Sequence, residues 1–289
     1  MADLLSRLLP DRSDAAASAV DAACLAGAAA GSVGCAFLAG YRAALRALVP
    51  GIDCDASMCA TEAQGAHPRS INTRLSRHDD GFGLTGEKRW VTGATDAQLL
   101  LVIASQGSGE DGRNMLRCVC VAPGTAGVRI DPMPAPSFTP EIVHAFVTLS
   151  DVRVTAEAIL PGDGYTRYLK PFRTVEDIHV MTALLAYLTS VASRCSWPEA
   201  ALEDLVAMLG ALRALAGADP LSPRTHVALA GTQRWIEERI AGFDPLWSRC
   251  DDATRLGWQR DRDLLLVAQR ARDARRSAAW KTLDADVRR

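Results

Sequence analysis

The chain has 289 residues, a formal net charge of −2 and a mean hydropathy of +0.03. That length accommodates one large or two small domains with a sizeable core. The near-balanced charge gives no global field toward nucleic acid or an anionic membrane.

Residues 1–50 predict helix throughout, rich in alanine, with Asp11, Ser13 and Asp14 as N-cap candidates. No basic segment followed by a concentrated apolar core marks a signal peptide. Residues 22–41 are apolar but mostly Ala and Gly, and Asp21 and Arg42 bound them. A tightly packed pair of helices is expected there rather than a membrane span, with Gly27 and Gly31 as a small-xxx-small pair. Tyr41, Leu45 and Leu48 continue a helical stripe that Pro50-Gly51 ends.

Residues 55–152 change to period-two patterning. Short apolar runs at 58–61, 99–104, 116–121 and 144–149 lie between Gly, Pro, Asp and Ser breakers. Turn counting gives an antiparallel domain of about seven strands. Within it GFGLTGEKRWVTGA, Gly81 to Ala94, predicts a hairpin turning at Thr85-Gly86. Helix-period sequence follows Asp151. Four antiparallel helices are expected over 172–194, 198–217, 223–243 and 255–283, punctuated by Trp197-Pro198, Asp219-Pro220 and Asp244-Pro245. The domain boundaries so drawn are 1–54, 55–160 and 161–289.

Eight cysteines at 24, 35, 54, 59, 118, 120, 195 and 250 include no C-x-x-C pair. Cys118 and Cys120 fall on one face of a strand, a spacing that suits packing better than zinc. The expectation is reduced thiols serving as small hydrophobes in a cytoplasmic protein.

Two stretches, Gly81 to Ala94 and DVRVTAEAIL at Asp151 to Leu160, resemble the middle β-domain of the flavin-dependent acyl-CoA dehydrogenases. That family carries a "G-x-x-L-N-G-x-K-x-W-I-T" segment against its flavin and a "D-V-R-V-P-x-E-x-L-L" strand leading to its C-terminal helices. The resemblance implies an α+β acyl-CoA dehydrogenase-like fold: shortened N-terminal helices, a central antiparallel β-domain and a C-terminal four-helix bundle. It also implies FAD as cofactor, an acyl-CoA or acyl-carrier thioester as substrate, and a homo- or hetero-oligomer passing electrons to an unidentified acceptor. No nucleic acid or membrane partner is expected.

Site residues carry over by motif. Trp90-Val91-Thr92 matches "W-I-T", whose Trp and Thr contact the isoalloxazine. MCATEAQGAHP matches "T-E-P-G-A-G-S-D", so Met58, Ala60 and Thr61 become flavin candidates. Ala63 replaces the family's Pro, Gly65 is out of register, and His67 stands where a Ser helps hold the thioester. Outside the resemblance, Trp90 reads as a core aromatic and Thr61 as a turn residue.

The dehydrogenation needs a carboxylate beside the substrate's α-carbon. At the family's common position, a "Y-E-G-T" loop, this chain has Gln269 followed by Arg270-Ala271, and residues 264–271 read as uninterrupted helix. The isovaleryl-type members place a Glu earlier, within "L-E-R-L", and Val175-Glu176-Asp177-Ile178 fits it with Glu176 as the prospective base. First-turn acids are also favoured by the helix dipole alone. His179 reads as a core histidine. The family's ADP-binding "R-x-x-F-G" and "Q-x-x-G-G-x-G" segments have no counterpart, although Arg194 could stand in for the Arg. The arginines at 260, 262, 270, 272, 275 and 276 read as a solvated helix face. Two functions follow: an acyl-thioester α,β-dehydrogenase, or a catalytically silent homologue serving as a subunit of a hetero-oligomer. A flavin monooxygenase on the same fold is a third, which no residue specifically supports.

Overall fold

The computed structural model describes residues 19–79 and 81–287. The N-cap candidates Asp11, Ser13 and Asp14 lie outside the described residues. The chain divides into two compact units. One comprises Leu48–Pro136 and Pro140–Arg173 and holds the sheet. The other is helical and comprises Ser137–Thr139, Thr174–Arg289 and the described part of Met1–Ala47.

Seven strands form the sheet: β1 (Ala56–Cys59), β2 (Arg74–His78), β3 (Gly81–Thr92), β4 (Leu99–Ser108), β5 (Asn114–Val121), β6 (Val128–Pro132) and β7 (His144–Val154). Their order is β1-β4-β2-β3-β7-β6, with β5 on β4. Most pairs are antiparallel, while β1 and β2 join β4 in parallel. One face buries Leu84, Val91, Leu100, Val102, Val119 and Val147, the alternate residues that period two directs to one side.

The hairpin expected inside Gly81 to Ala94 is absent, because β3 runs unbroken from Gly81 to Thr92. Thr85-Gly86 runs through the strand opposite a bulge in β7: the register shifts between Leu84 and Gly86, where Ser150 and Asp151 together oppose Thr85 and Asp151 has φ +48°. Gly86 has φ +155°, and a Cβ there would come within 2.5 Å of Thr73 Oγ1 and 2.6 Å of Thr73 Cα. A glycine within a strand can mark a close backbone approach as readily as a turn, so composition alone does not separate them.

The helical unit contains α1 (Ala19–Ala29) and α2 (Val33–Leu48), then most of α3 (Lys170–Arg194). It continues with α4 (Glu199–Ala216), α5 (Pro223–Gly242), α6 (Asp252–Asp261) and α7 (Gln269–Val287). The apolar run at 22–41 is thus shared between helices of 11 and 16 residues. The single long helix expected over 255–283 is two, separated by a 3₁₀ turn at Arg262–Leu266. Helix α7 packs along α5, and α4 packs against α5.

Cys195 and Cys250 form a disulfide with Cα atoms 5.0 Å apart, which corrects the expectation that all eight cysteines are reduced. The residues are 55 apart in sequence, so no local spacing announces the pair. Packing of Trp197, Phe243, Trp247 and Trp258, with the last two tryptophans stacked at 4.8 Å, brings the segments together. Buried thiols elsewhere are unreactive: burial pushes Cys59 up to about 12 and Cys24 up to about 11.

Two glycines set how closely α1 and α2 approach α3. A Cβ at Gly27 would lie 2.2 Å from the Ala183 carbonyl oxygen, and one at Gly40 would lie 2.5 Å from Val180 Cα. Gly31, the other half of the expected pair, faces open space. Backbone cannot give way as a side-chain tip can, so the helices would have to separate. Gly27→Ala is therefore expected to destabilise the protein by about 1–3 kcal/mol despite alanine's higher helix propensity. Gly31→Ala should be near neutral. Thermal melting of both variants checks this, and equal midpoints would refute the contact.

Candidate functional site

Lys88 lies at the centre of β3, and its side chain is fully buried. A buried ammonium must place all three protons. Lys88 Nζ donates to Glu62 Oε1 at 2.7 Å, to the Ile103 carbonyl at 2.6 Å and to the Ala60 carbonyl at 3.4 Å. Glu62 is as fully used. Its carboxylate accepts from Thr73 N at 2.9 Å, Thr73 Oγ1 at 2.8 Å and Asn72 N at 2.7 Å. Burial pushes the Glu62 carboxyl upward, but the Lys88 ammonium and these hydrogen bonds outweigh it and hold the pKa below 4.5. Burial drives Lys88 downward, with Glu62 opposing. The pair ties the segment after β1 to the middle of β3 and to β4.

That tie sets the next residues. Arg89 N donates to the Thr61 carbonyl at 2.9 Å, which seats Thr61 beside the strand. The register of β3 on β7 then slips between Lys88 and Val91, so Arg89 and Trp90 together oppose Phe146. In this second bulge Trp90 has φ +58°, a conformation that is strained for a bulky side chain. Its indole is 57% exposed. The His144 ring meets it edge-on, with centroids 6.3 Å apart. Thr92 returns to regular pairing opposite His144, and its Oγ1 lies 3.3 Å from His144 Nδ1. The Thr92 carbonyl accepts from Ser57 Oγ at 2.8 Å, which anchors β1.

Thr61, Trp90, Val91 and Thr92 therefore come together, with Met58 and Ala60 on the adjoining strand end. Val91, Met58 and Ala60 are buried, and Trp90 is the exposed member. Trp90 is not the core aromatic that its residue type suggests. His67 belongs to a different feature. It is exposed, its Nδ1 accepts from Arg69 N at 3.2 Å, and it lines a cleft of about 660 Å³ with Arg113, Asn114, Met115 and Tyr165. A second cleft of about 600 Å³ shares Arg69 and Asn114 and adds Arg74 and Arg77; among the described residues no carboxylate lines it.

In the helical unit Glu176 is partly buried on α3. Its neighbour Asp177 accepts from Arg272 Nε at 3.0 Å and from Arg275 Nη2 at 2.6 Å. Arg272 also donates to the Leu265 carbonyl at 2.6 Å. The face expected to be solvated is thus partly buried at these two arginines. Arg272 helps hold the chain turn ahead of Gln269, which overturns the reading of 264–271 as continuous helix. Gln269 starts α7, and its buried Oε1 has no partner among the described residues. His179 is buried, bonds to the Val175 carbonyl at 2.8 Å, and has its pKa pushed down by burial. Arg194 ends α3, exposed. No cluster of three metal-ligating residues occurs among the described residues.

Sequence reasoning missed Lys88, Glu62's part in holding it, and His144. One signal was available: Lys88 follows Leu84 at a period-two position on an inward face, and a buried cation calls for an acid nearby. His144 gave none, since its partners lie in another strand.

Comparison with known proteins agrees with the resemblance. The family described as "Acyl-CoA dehydrogenase, middle domain" matches residues 57–152. A probable acyl-CoA dehydrogenase, YngJ of Bacillus subtilis (strain 168), is 29% identical over 107 residues, covering 36% of this chain and 28% of YngJ. Butyryl-CoA dehydrogenase from Megasphaera elsdenii superposes with a TM-score of 0.63 at 15% identity, covering 91% of this chain and 80% of that one. The prolyl acyl carrier protein oxidase AnaB gives 0.64 at 16%, covering 91% and 82%. At these identities the two structures establish the shared fold.

Removing one partner of the Lys88–Glu62 pair strands the other in the core. Lys88→Met is expected to cost about 3–5 kcal/mol, and the double variant Lys88→Met/Glu62→Gln to recover part of that loss. The carboxyl is depressed in the folded state. Its contribution is therefore complete above pH 4.5 and lost as the pH falls from there through the folded-state value. Urea midpoints between pH 7 and pH 3 test both points. A double variant as weak as Lys88→Met and equally acid-sensitive would contradict them.

Proposed function

On the premise that residues 57–152 form an acyl-CoA dehydrogenase middle domain within that fold, we propose that this protein is an FAD-dependent acyl-thioester α,β-dehydrogenase. The observation that carries the proposal is Trp90. A bulky residue at φ +58° with an indole 57% exposed, the most exposed of the sheet's large apolar side chains, is poor structural economy. Strain of this kind costs about 1–3 kcal/mol and marks a surface shaped for a ligand. A flat apolar ring, with Thr92 two residues on and Thr61 seated beside the same strand, suits a planar heteroaromatic with hydrogen-bonding edges.

Trp90, Thr92 and Thr61 would hold the isoalloxazine, with Met58, Ala60 and Val91 shaping the wall behind them. When bound, the flavin supplies a hydride acceptor for the substrate's β-hydrogen. Glu176 takes the α-proton as a carboxylate base. His67, on its cleft, contacts the thioester-bearing arm, whether the carrier is coenzyme A or a carrier protein as in AnaB. Oligomerisation and a cytoplasmic setting belong to the same proposal.

One observation favours the second reading, a silent subunit of a hetero-oligomer. Gln269 stands where most of the family has its base, and an amide cannot take up a proton. Two measurements separate the readings. The purified chain is expected to take up FAD, with absorption near about 370 and 450 nm, and to be bleached by an acyl thioester under argon. Glu176→Gln should keep the flavin and lose at least about a hundredfold in bleaching rate, the usual scale of general-base contributions. Wild-type protein that takes up FAD without bleaching would favour the silent subunit, and unchanged bleaching in the variant would remove Glu176 from the mechanism.

A further inference from the structure

His144 has no assigned role, yet it contacts both Trp90 and Thr92. It stands opposite Thr92 in the β3–β7 register. Its Nδ1 is 3.3 Å from Thr92 Oγ1, and its ring packs edge-on against the Trp90 indole at 6.3 Å. Its main chain is fixed from the other side, where Met133 N donates to the His144 carbonyl at 2.8 Å. One ring thus bridges the strained residue and the regular one that follows it.

Resting on the flavin reading above, we infer that His144 is a positioning residue that presets Thr92 and Trp90 for the isoalloxazine. A threonine hydroxyl on a strand has staggered alternatives at χ1, and only some of them aim it at a ligand. The imidazole selects one. Burial keeps the ring's pKa down, so the neutral form offers one donor and one acceptor. Trp90 gains a wall on one side, which limits how far the exposed indole swings. The benefit is preorganisation: side-chain freedom is already lost before the ligand arrives.

The test uses the full chain and the variants His144→Ala, His144→Gln, Thr92→Val and the double variant His144→Ala/Thr92→Val. FAD titration of the apoprotein is followed by flavin fluorescence, and the Trp90 indole N–H resonance, assigned with Trp90→Phe, is recorded without flavin. His144→Ala is expected to weaken FAD binding about three- to tenfold, the scale of one hydrogen bond, with the thermal midpoint unchanged. His144→Gln, which restores a donor and an acceptor, should recover part of it. The double variant should bind no more weakly than Thr92→Val. In the apoprotein His144→Ala should move and broaden the Trp90 signal, and His144→Gln should return it toward its wild-type position. Wild-type affinity in His144→Ala, or additive losses in the double variant, would overturn the inference. Failure of the wild-type chain to bind FAD would instead remove the flavin reading, and an unmoved Trp90 resonance would then still refute the positioning role.

Discussion

The β unit depends on one buried ion pair. Lys88 has no solvent to hydrate its ammonium, and leaving such a charge unmatched costs several kcal/mol. The chain meets that demand by bringing three segments to one nitrogen: Ala60 and Glu62 after β1, Ile103 in β4, and Lys88 itself in β3. A methionine of similar length would pack without any such demand. What the lysine adds is specificity. Slipping β3 by one residue would turn Lys88 to the opposite face and abandon Glu62 among Thr73 and Asn72, so the register that places Trp90 is the one that satisfies the pair.

The fold was largely legible because its elements announce themselves locally. Period-two runs marked most of the strands, and Pro-containing junctions marked the ends of α3 to α5. Failures occurred where the deciding contact is distant. Thr85-Gly86 has turn composition, yet the pair runs on through β3, opposite a bulge in β7 and with Thr73 close against Gly86. The sequence from Leu264 to Ala271 has helical composition, but Arg272 ties the Leu265 carbonyl and Asp177 together, and the chain turns before α7 begins. Nothing near Cys195 or Cys250 foretells a bridge that closes across 55 residues.

The candidate site divides in the same way. Trp90, Val91 and Thr92 were found because they are contiguous and follow a family pattern. Glu62 and Lys88 are 26 residues apart, and Thr92 and His144 are 52 apart, so their pairing appears only once the sheet is formed. Residue type also misled. Tryptophan in a strand usually reads as core, and arginine on a terminal helix usually reads as solvated. Here the tryptophan is exposed, while Arg272 and Arg275 are partly buried against an aspartate.

These two inversions have a common logic. A strained conformation persists only if the surroundings prevent its relaxation. The Trp90 bulge could relax by letting β3 slide along β7, which would return the residue to extended geometry and carry the indole elsewhere. Lys88 blocks that slide two residues upstream, and Thr92, bonded through its carbonyl to Ser57 and paired with His144, blocks it two residues downstream. The bulge is therefore clamped between a buried charge pair and a cross-strand polar contact. The exposed indole is held in position by these clamps without packing consuming its face, which is the condition a binding surface has to meet.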